Sequence, residues 1–151
     1  MMTAQTLTTD DMRAKWDEAA QRLVKAEIAM LEYIDATDPL YSLETDFLAR
    51  HGYSKLSANN VAGRLALLKA NPAYAVPDHI NAHRDRLCAE YVTIAAELMA
   101  MPAPDLPALR WKLEHTEDGG YTREYCSQMW DDCDRLMCTA SEASARGKAP
   151  A

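Results

Sequence analysis

Ala100-Met101-Pro102-Ala103-Pro104-Asp105-Leu106-Pro107-Ala108-Leu109-Arg110-Trp111-Lys112-Leu113 is the stretch that decides the fold. Pro102 and Pro104 cannot continue a helix, and Asp105 can cap a new one. Pro107 then falls in a first helical turn, where a missing N–H is tolerated. A long apolar helix therefore ends, the chain turns within about three residues, and a second helix begins. A turn this short makes the two helices neighbours in one bundle. It carries no reactive group.

Working outward, the helical period recurs on both sides. Asp10 or Asp11 can cap a first helix to about Ile34, whose stripe is Met12, Trp16, Ala19, Leu23, Ala26, Met30 and Tyr33. Asp38-Pro39 closes it, because the residue before proline avoids the helical region. A short helix follows, capped by Ser42 and ended by Gly52, and another runs from near Ser57 to just before Pro72. Asp78 caps a long helix to about Met101, with Ile80, Leu87, Tyr91, Ile94 and Leu98 inward. The helix after the prolines reaches about Thr116 and buries Leu106, Leu109 and Leu113. Gly119-Gly120 breaks it, and Thr122 caps a last helix with Tyr125, Cys126, Met129, Trp130, Cys133, Leu136 and Met137 inward. No alternating β-branched run or hairpin signal appears. The expected fold is all-α: a helical bundle with two long helices, a two-helix insertion at 38–77 and a C-terminal helical hairpin. Residues 1–140 form one domain in this reading, and 141–151 a flexible tail.

The chain has 151 residues, 48% of them hydrophobic and 26% charged, ordinary figures for a soluble globular domain able to bury a core. No run reaches the roughly 18 apolar residues of a membrane span, and the first residues lack the features of a secretory signal. With no export signal, Cys88, Cys126, Cys133 and Cys138 are expected reduced, and the protein cytoplasmic.

Charge is unevenly placed. Phe47 to Pro77 holds no acid but four bases, Arg50, Lys55, Arg64 and Lys69. Leu113 to Asp134 holds seven acids, Glu114, Glu117, Asp118, Glu124, Asp131, Asp132 and Asp134, against Arg123, a net of −6 in a chain of net −7. Fields of that kind steer partners. Residues 45–69 are also arranged like a helix-turn-helix, with Ala49, Gly52 and Val61 at the crossing. Lys55, Asn59, Asn60, Arg64 and Lys69 would then face nucleic acid. The turn from Gly52 to Ser57 is longer than that motif prefers, and four bases on an acidic chain release few counterions.

Catalytic and metal readings are poorer. His79 and His83 share a helical face without a third ligand at suitable spacing. No nucleophile sits beside a base, and no glycine loop cradles a phosphate. Neither a cofactor nor an enzymatic activity is expected.

The stretch from about Leu87 to Met137, centred on the Pro-Ala-Pro-Asp-Leu-Pro-Ala-Leu-Arg-Trp-Lys-Leu-Glu turn and helix at 102–114 and followed by Trp130-Asp131-Asp132 and Asp134-Arg135-Leu136, resembles small all-helical proteins of alphaproteobacteria. These are often encoded with prophage or other mobile-element genes. Trp16 before an alanine-rich first helix fits the same resemblance, which covers about 80 residues. It implies an all-α fold and no particular catalytic or binding residue. It also marks 38–77 as an insertion, since such relatives join their first and long helices by a short link.

The combined expectation is a non-enzymatic accessory protein acting through protein–protein contact. The acidic face, Glu117, Asp118, Glu124, Asp131, Asp132 and Asp134, would meet an unidentified protein partner. One version is an acidic inhibitor occupying the nucleic-acid-binding surface of a host protein. The two poles could also pair between copies. The alternative is a DNA-binding regulator using the 45–69 segment.

Overall fold

Thr8 opens the first helix with a reciprocal cap. Its hydroxyl oxygen accepts the Asp11 N–H at 3.2 Å, while the Asp11 carboxylate accepts the Thr8 N–H at 3.3 Å and the Thr8 hydroxyl at 2.7 Å. Thr8, not Asp10 or Asp11, is therefore the cap. The computed structural model describes residues 7–53, 60–119 and 123–146. Among these are five α-helices, α1 (Thr9–Arg50), α2 (Val61–Ala70), α3 (Asp78–Ala100), α4 (Leu106–Gly119) and α5 (Arg123–Arg146), a 3-10 turn at Pro72–Tyr74, and no strand. The class is all-α. No helix of the described residues is long and apolar enough to cross a membrane.

The largest departure from expectation is α1. It does not stop at Asp38-Pro39 but runs for 42 residues with Pro39 inside it. Pro39 has no N–H to give the Asp35 carbonyl, a defect of about 3 kcal/mol in a helix interior. Packing beyond it outweighs that cost. Phe47 and Leu48 are buried, and the Phe47 ring stacks on Tyr74 at 4.2 Å. The Tyr41 hydroxyl donates to Asn81 at 2.7 Å, and the Val76 N–H donates to Glu44 at 2.6 Å. Just before the proline, the buried Thr37 hydroxyl donates back to the Tyr33 carbonyl at 2.7 Å. The segment 38–77 is thus not a two-helix insertion: its first part continues α1, and α2 is its one separate α-helix among the described residues.

The stop expected at Gly52 for a separate short helix is present, but it ends α1. Gly52 takes a positive φ of 85°, its N–H bonds Ala49, and the Tyr53 N–H returns to Leu48 at 2.9 Å. Those are the two bonds of a Schellman stop, which needs a residue without a Cβ clash at Gly52. The expected Ser57 cap lies outside the described residues. Asn71 closes α2 by donating its side-chain N–H to the Leu67 carbonyl at 2.9 Å. At the other terminus α5 continues to Arg146, past residue 140, after which the tail was expected to begin.

The chain divides into two compact units, Met1–Val24 with Val92–Ala151, and Lys25–Tyr91, so α1 and α3 each contribute to both. In the first unit Trp16, Ala19, Leu23, Ile94, Ala95, Leu98, Met99, Ala103, Ala108, Leu109, Met129 and Leu136 are buried. Trp16 meets Trp111 edge-on at 5.8 Å, and Arg22 pairs with Glu97 at 2.8 Å. Asp105 caps α4 by accepting the Ala108 N–H at 2.9 Å, and Arg13 bonds the same carboxylate. Burial pushes the Asp105 carboxyl up, but the Arg13 guanidinium and the Ala108 N–H hold it below its usual range.

In the second unit the α1 and α3 segments run antiparallel. Tyr33 packs edge-on against His83 at 4.5 Å, whereas further along α1 Tyr41 reaches back to Asn81 and Glu44 to Val76. The Arg84 guanidinium lies 4.6 Å above the Tyr41 ring. Tyr53 lies over Gly63 of α2, where a Cβ would sit 2.5 Å from its hydroxyl.

Candidate interaction surface

The prolines at 102 and 104 create a problem for which the first unit has a specific solution. Ala103 and Pro104 are buried, yet a turn between helices leaves backbone polar groups without helical partners. Asp132 of α5 supplies an acceptor: its Oδ1 takes the Ala103 N–H at 2.9 Å. Lys112 of α4 supplies a donor to the Met101 carbonyl, and Arg135 one to the Ala103 carbonyl. Lys112 Nζ also donates to Asp132 Oδ2 at 2.7 Å, with both side chains at 0% exposure. Arg135 and Gln128 complete the shell on Asp132 Oδ1 at 3.0 and 3.2 Å. Burial pushes the Lys112 ammonium down from its usual pKa, and the Asp132 carboxylate only partly restores it.

This network sets the rotation of α5. Asp132, expected on the solvent-facing acidic surface, is instead fully buried between Met129 and Leu136. Trp130 and Met137, expected inside, are 71% and 69% exposed. At about 100° per residue, both lie roughly 140–160° around α5 from Asp132. The apolar stripe chosen from sequence was centred too far round the helix, because a paired carboxylate occupies a position counted as polar. The same holds for α4, where Lys112 is buried and Leu113 and Leu106 are exposed. Tyr91 and Met30 are half-buried rather than core.

Asp131 and Asp134 are exposed beside Trp130, while Cys126 and Cys133 are half-buried on the flank of the same face. The side chains of Glu117, Asp118 and Glu124 lie outside the described residues. So do Lys55 and Asn59 of the nucleic-acid reading. Asn60 and Arg64 are half-buried, and Lys69 is exposed. Lys69 lines an open cleft of about 580 Å³ with Glu44, Leu65, Leu68, Val76 and Asp78. That cleft therefore mixes charges and is not the basic groove a phosphate backbone requires.

His79 is exposed, and His83 Nδ1 is bonded to Arg86 Nη2 at 3.0 Å. Among the described residues no three His, Cys, Asp or Glu side chains are grouped to hold a metal ion. Sequence reasoning missed Lys112. The signal available was the proline-flanked turn itself, whose polar backbone had to find side-chain partners once buried.

Comparison with protein-family models, curated proteins and solved structures finds no match.

Proposed function

We propose that this chain is a non-enzymatic interaction protein whose α5 presents an apolar anchor within an acidic rim to a basic, apolar-faced segment of a partner protein. The observation that carries the reading is Trp130, with Met137 two turns further along the same face and Asp131 and Asp134 beside it. A large aromatic side chain held in solvent by a helix fixed from behind supplies contact area at little entropic cost to itself. The carboxylates select a cationic partner and speed its approach. Helix-in-groove docking through anchors three, four and seven residues apart is the mode such a face suits.

The test is titration with a synthetic basic amphipathic helix carrying leucine anchors, followed by tryptophan emission at low and high salt. Binding should fall on Trp130→Ala, and its association rate should drop on reversal of Asp131 and Asp134 to Lys. Asp132 stays untouched, since reversing it would break the core. Equal affinity for the reversed and native faces, or for an acidic peptide of the same pattern, would overturn the reading.

A further inference from the structure

The second unit contains a helix with the opposite character. None of the ten residues of α2, Val-Ala-Gly-Arg-Leu-Ala-Leu-Leu-Lys-Ala, is buried, although seven are Val, Ala or Leu. The half-buried positions Gly63, Arg64, Leu67 and Leu68 mark the side that packs. Val61, Ala62, Leu65, Ala66, Lys69 and Ala70 form the outer side, and Leu65 is 62% exposed. A contiguous apolar helix face of this kind is uncommon on a protein with nothing to cover it. The outer side carries one charge, Lys69, since Arg64 lies on the packing side; the helix itself has no acid, although Glu44 of α1 and Asp78 of α3 share the cleft that Lys69 lines.

We infer that the occupant of this face is α5 of a second copy of the chain. The inference rests on the proposed role of α5 and names its partner. Both surfaces are exposed faces of helices, so they can pack ridge into groove. The small side chains Ala62, Ala66 and Ala70 leave room beside α2 for the Trp130 ring, and Val61 and Leu65 meet the Met137 side. Lys69 then faces Asp131 and Asp134. Two α5 faces would instead set Asp131 and Asp134 against their own copies, and two α2 faces would set base against base. Only the mixed pairing is complementary in both apolar area and charge. The contact is heterologous, so it uses two different patches of each chain.

Two variants separate the pairings. Trp130→Ser with Met137→Ser removes the α5 face, and Val61→Ser with Leu65→Ser removes the α2 face. All four positions are exposed, so far-UV helicity should match the native chain in both. Sedimentation equilibrium at about 0.1 mM, enough to populate a contact of moderate affinity, should show the native chain above its 16.8 kDa mass. Each variant alone should be a monomer, and an equimolar mixture should give a species of twice the chain mass. A monomeric native chain, or a variant that still self-associates alone, overturns the inference. Retention of basic-peptide binding by a monomeric native chain removes the second-copy assignment and leaves the proposed function standing. Loss of both removes the two together.

Discussion

Asp132 and Trp130 sit two residues apart on α5 and face opposite ways, one carboxylate fully enclosed, one indole largely in water. The enclosed group decides the orientation of the exposed one. Asp132 is held by Arg135 and Gln128 of its own helix and, from outside it, by Lys112 and the Ala103 N–H; rotating α5 to bury Trp130 would break the last two and the Arg135 bond to the Ala103 carbonyl. Losing a buried charged contact costs more than burying one indole returns.

Removing one partner of the enclosed pair should therefore be severe. Asp132→Ala strands the Lys112 ammonium and the Ala103 N–H, and should cost about 3–5 kcal/mol in urea titration. Replacing both, as Lys112→Met with Asp132→Leu, should cost clearly less than the two single changes added together. Additive losses would show that the side chains do not act as a pair.

The pair also gives a pH signature. The folded chain holds Lys112 below its usual value of 10.5, chiefly by burial. As pH climbs towards 10.5, the unfolded chain keeps more protons on this lysine than the folded chain, so its contribution to stability rises with pH. The urea midpoint of the native chain should gain on that of Lys112→Met between neutral and alkaline pH. A gap that stays constant or shrinks would contradict the assignment.

Tryptophans should divide by site. Trp16→Ala, at a position 7% exposed, should cost about 3–5 kcal/mol, whereas Trp130→Ala should stay within about 0.5 kcal/mol of native stability. Acrylamide quenching should be reduced by the Trp130 change and little altered by the other. Leu98, 1% exposed, provides a core control: its change to Ala should cost about 2–5 kcal/mol.

Pro39→Ala should raise stability. The position is exposed and helical, so alanine restores an N–H without losing buried contact. The helical gain of about 3 kcal/mol is offset by roughly 1 kcal/mol of added unfolded-state freedom, leaving a net gain of about 1–2 kcal/mol. A lower denaturation midpoint would mean that the proline shapes a bend on which the Phe47 cluster depends.

Local rules were legible wherever the local answer was also the tertiary one. The Pro102–Pro104 stop, the Asp105 cap and the Gly52 terminator each follow from a single residue's backbone chemistry, and the stripe Trp16, Ala19, Leu23 and Ala26 is buried as its spacing predicts. Pro39 misled because contacts with Tyr74, Val76 and Asn81, distant in sequence, carry α1 past it. Lys112 and Asp132 misled for a related reason. Hydrophobic spacing cannot identify a charge that is buried because its partner is buried with it. Of the expected acidic surface, Asp131 and Asp134 are exposed and Asp132 is buried, because spacing alone does not fix the rotation of α5.

Pro39 has one more effect, on how the long helix moves. The Asp35 carbonyl has no amide four residues ahead of it, and position 39 itself has no exchangeable proton. Amide exchange along α1 should therefore show a seam, with slow protons on both sides released at different free energies. The segment from Leu40 to Arg50 then opens together with Phe47 and Tyr74, while the turns around Trp16 and Leu23 stay closed. In exchange kinetics, one continuous helix becomes two cooperative units joined at an amide that cannot report.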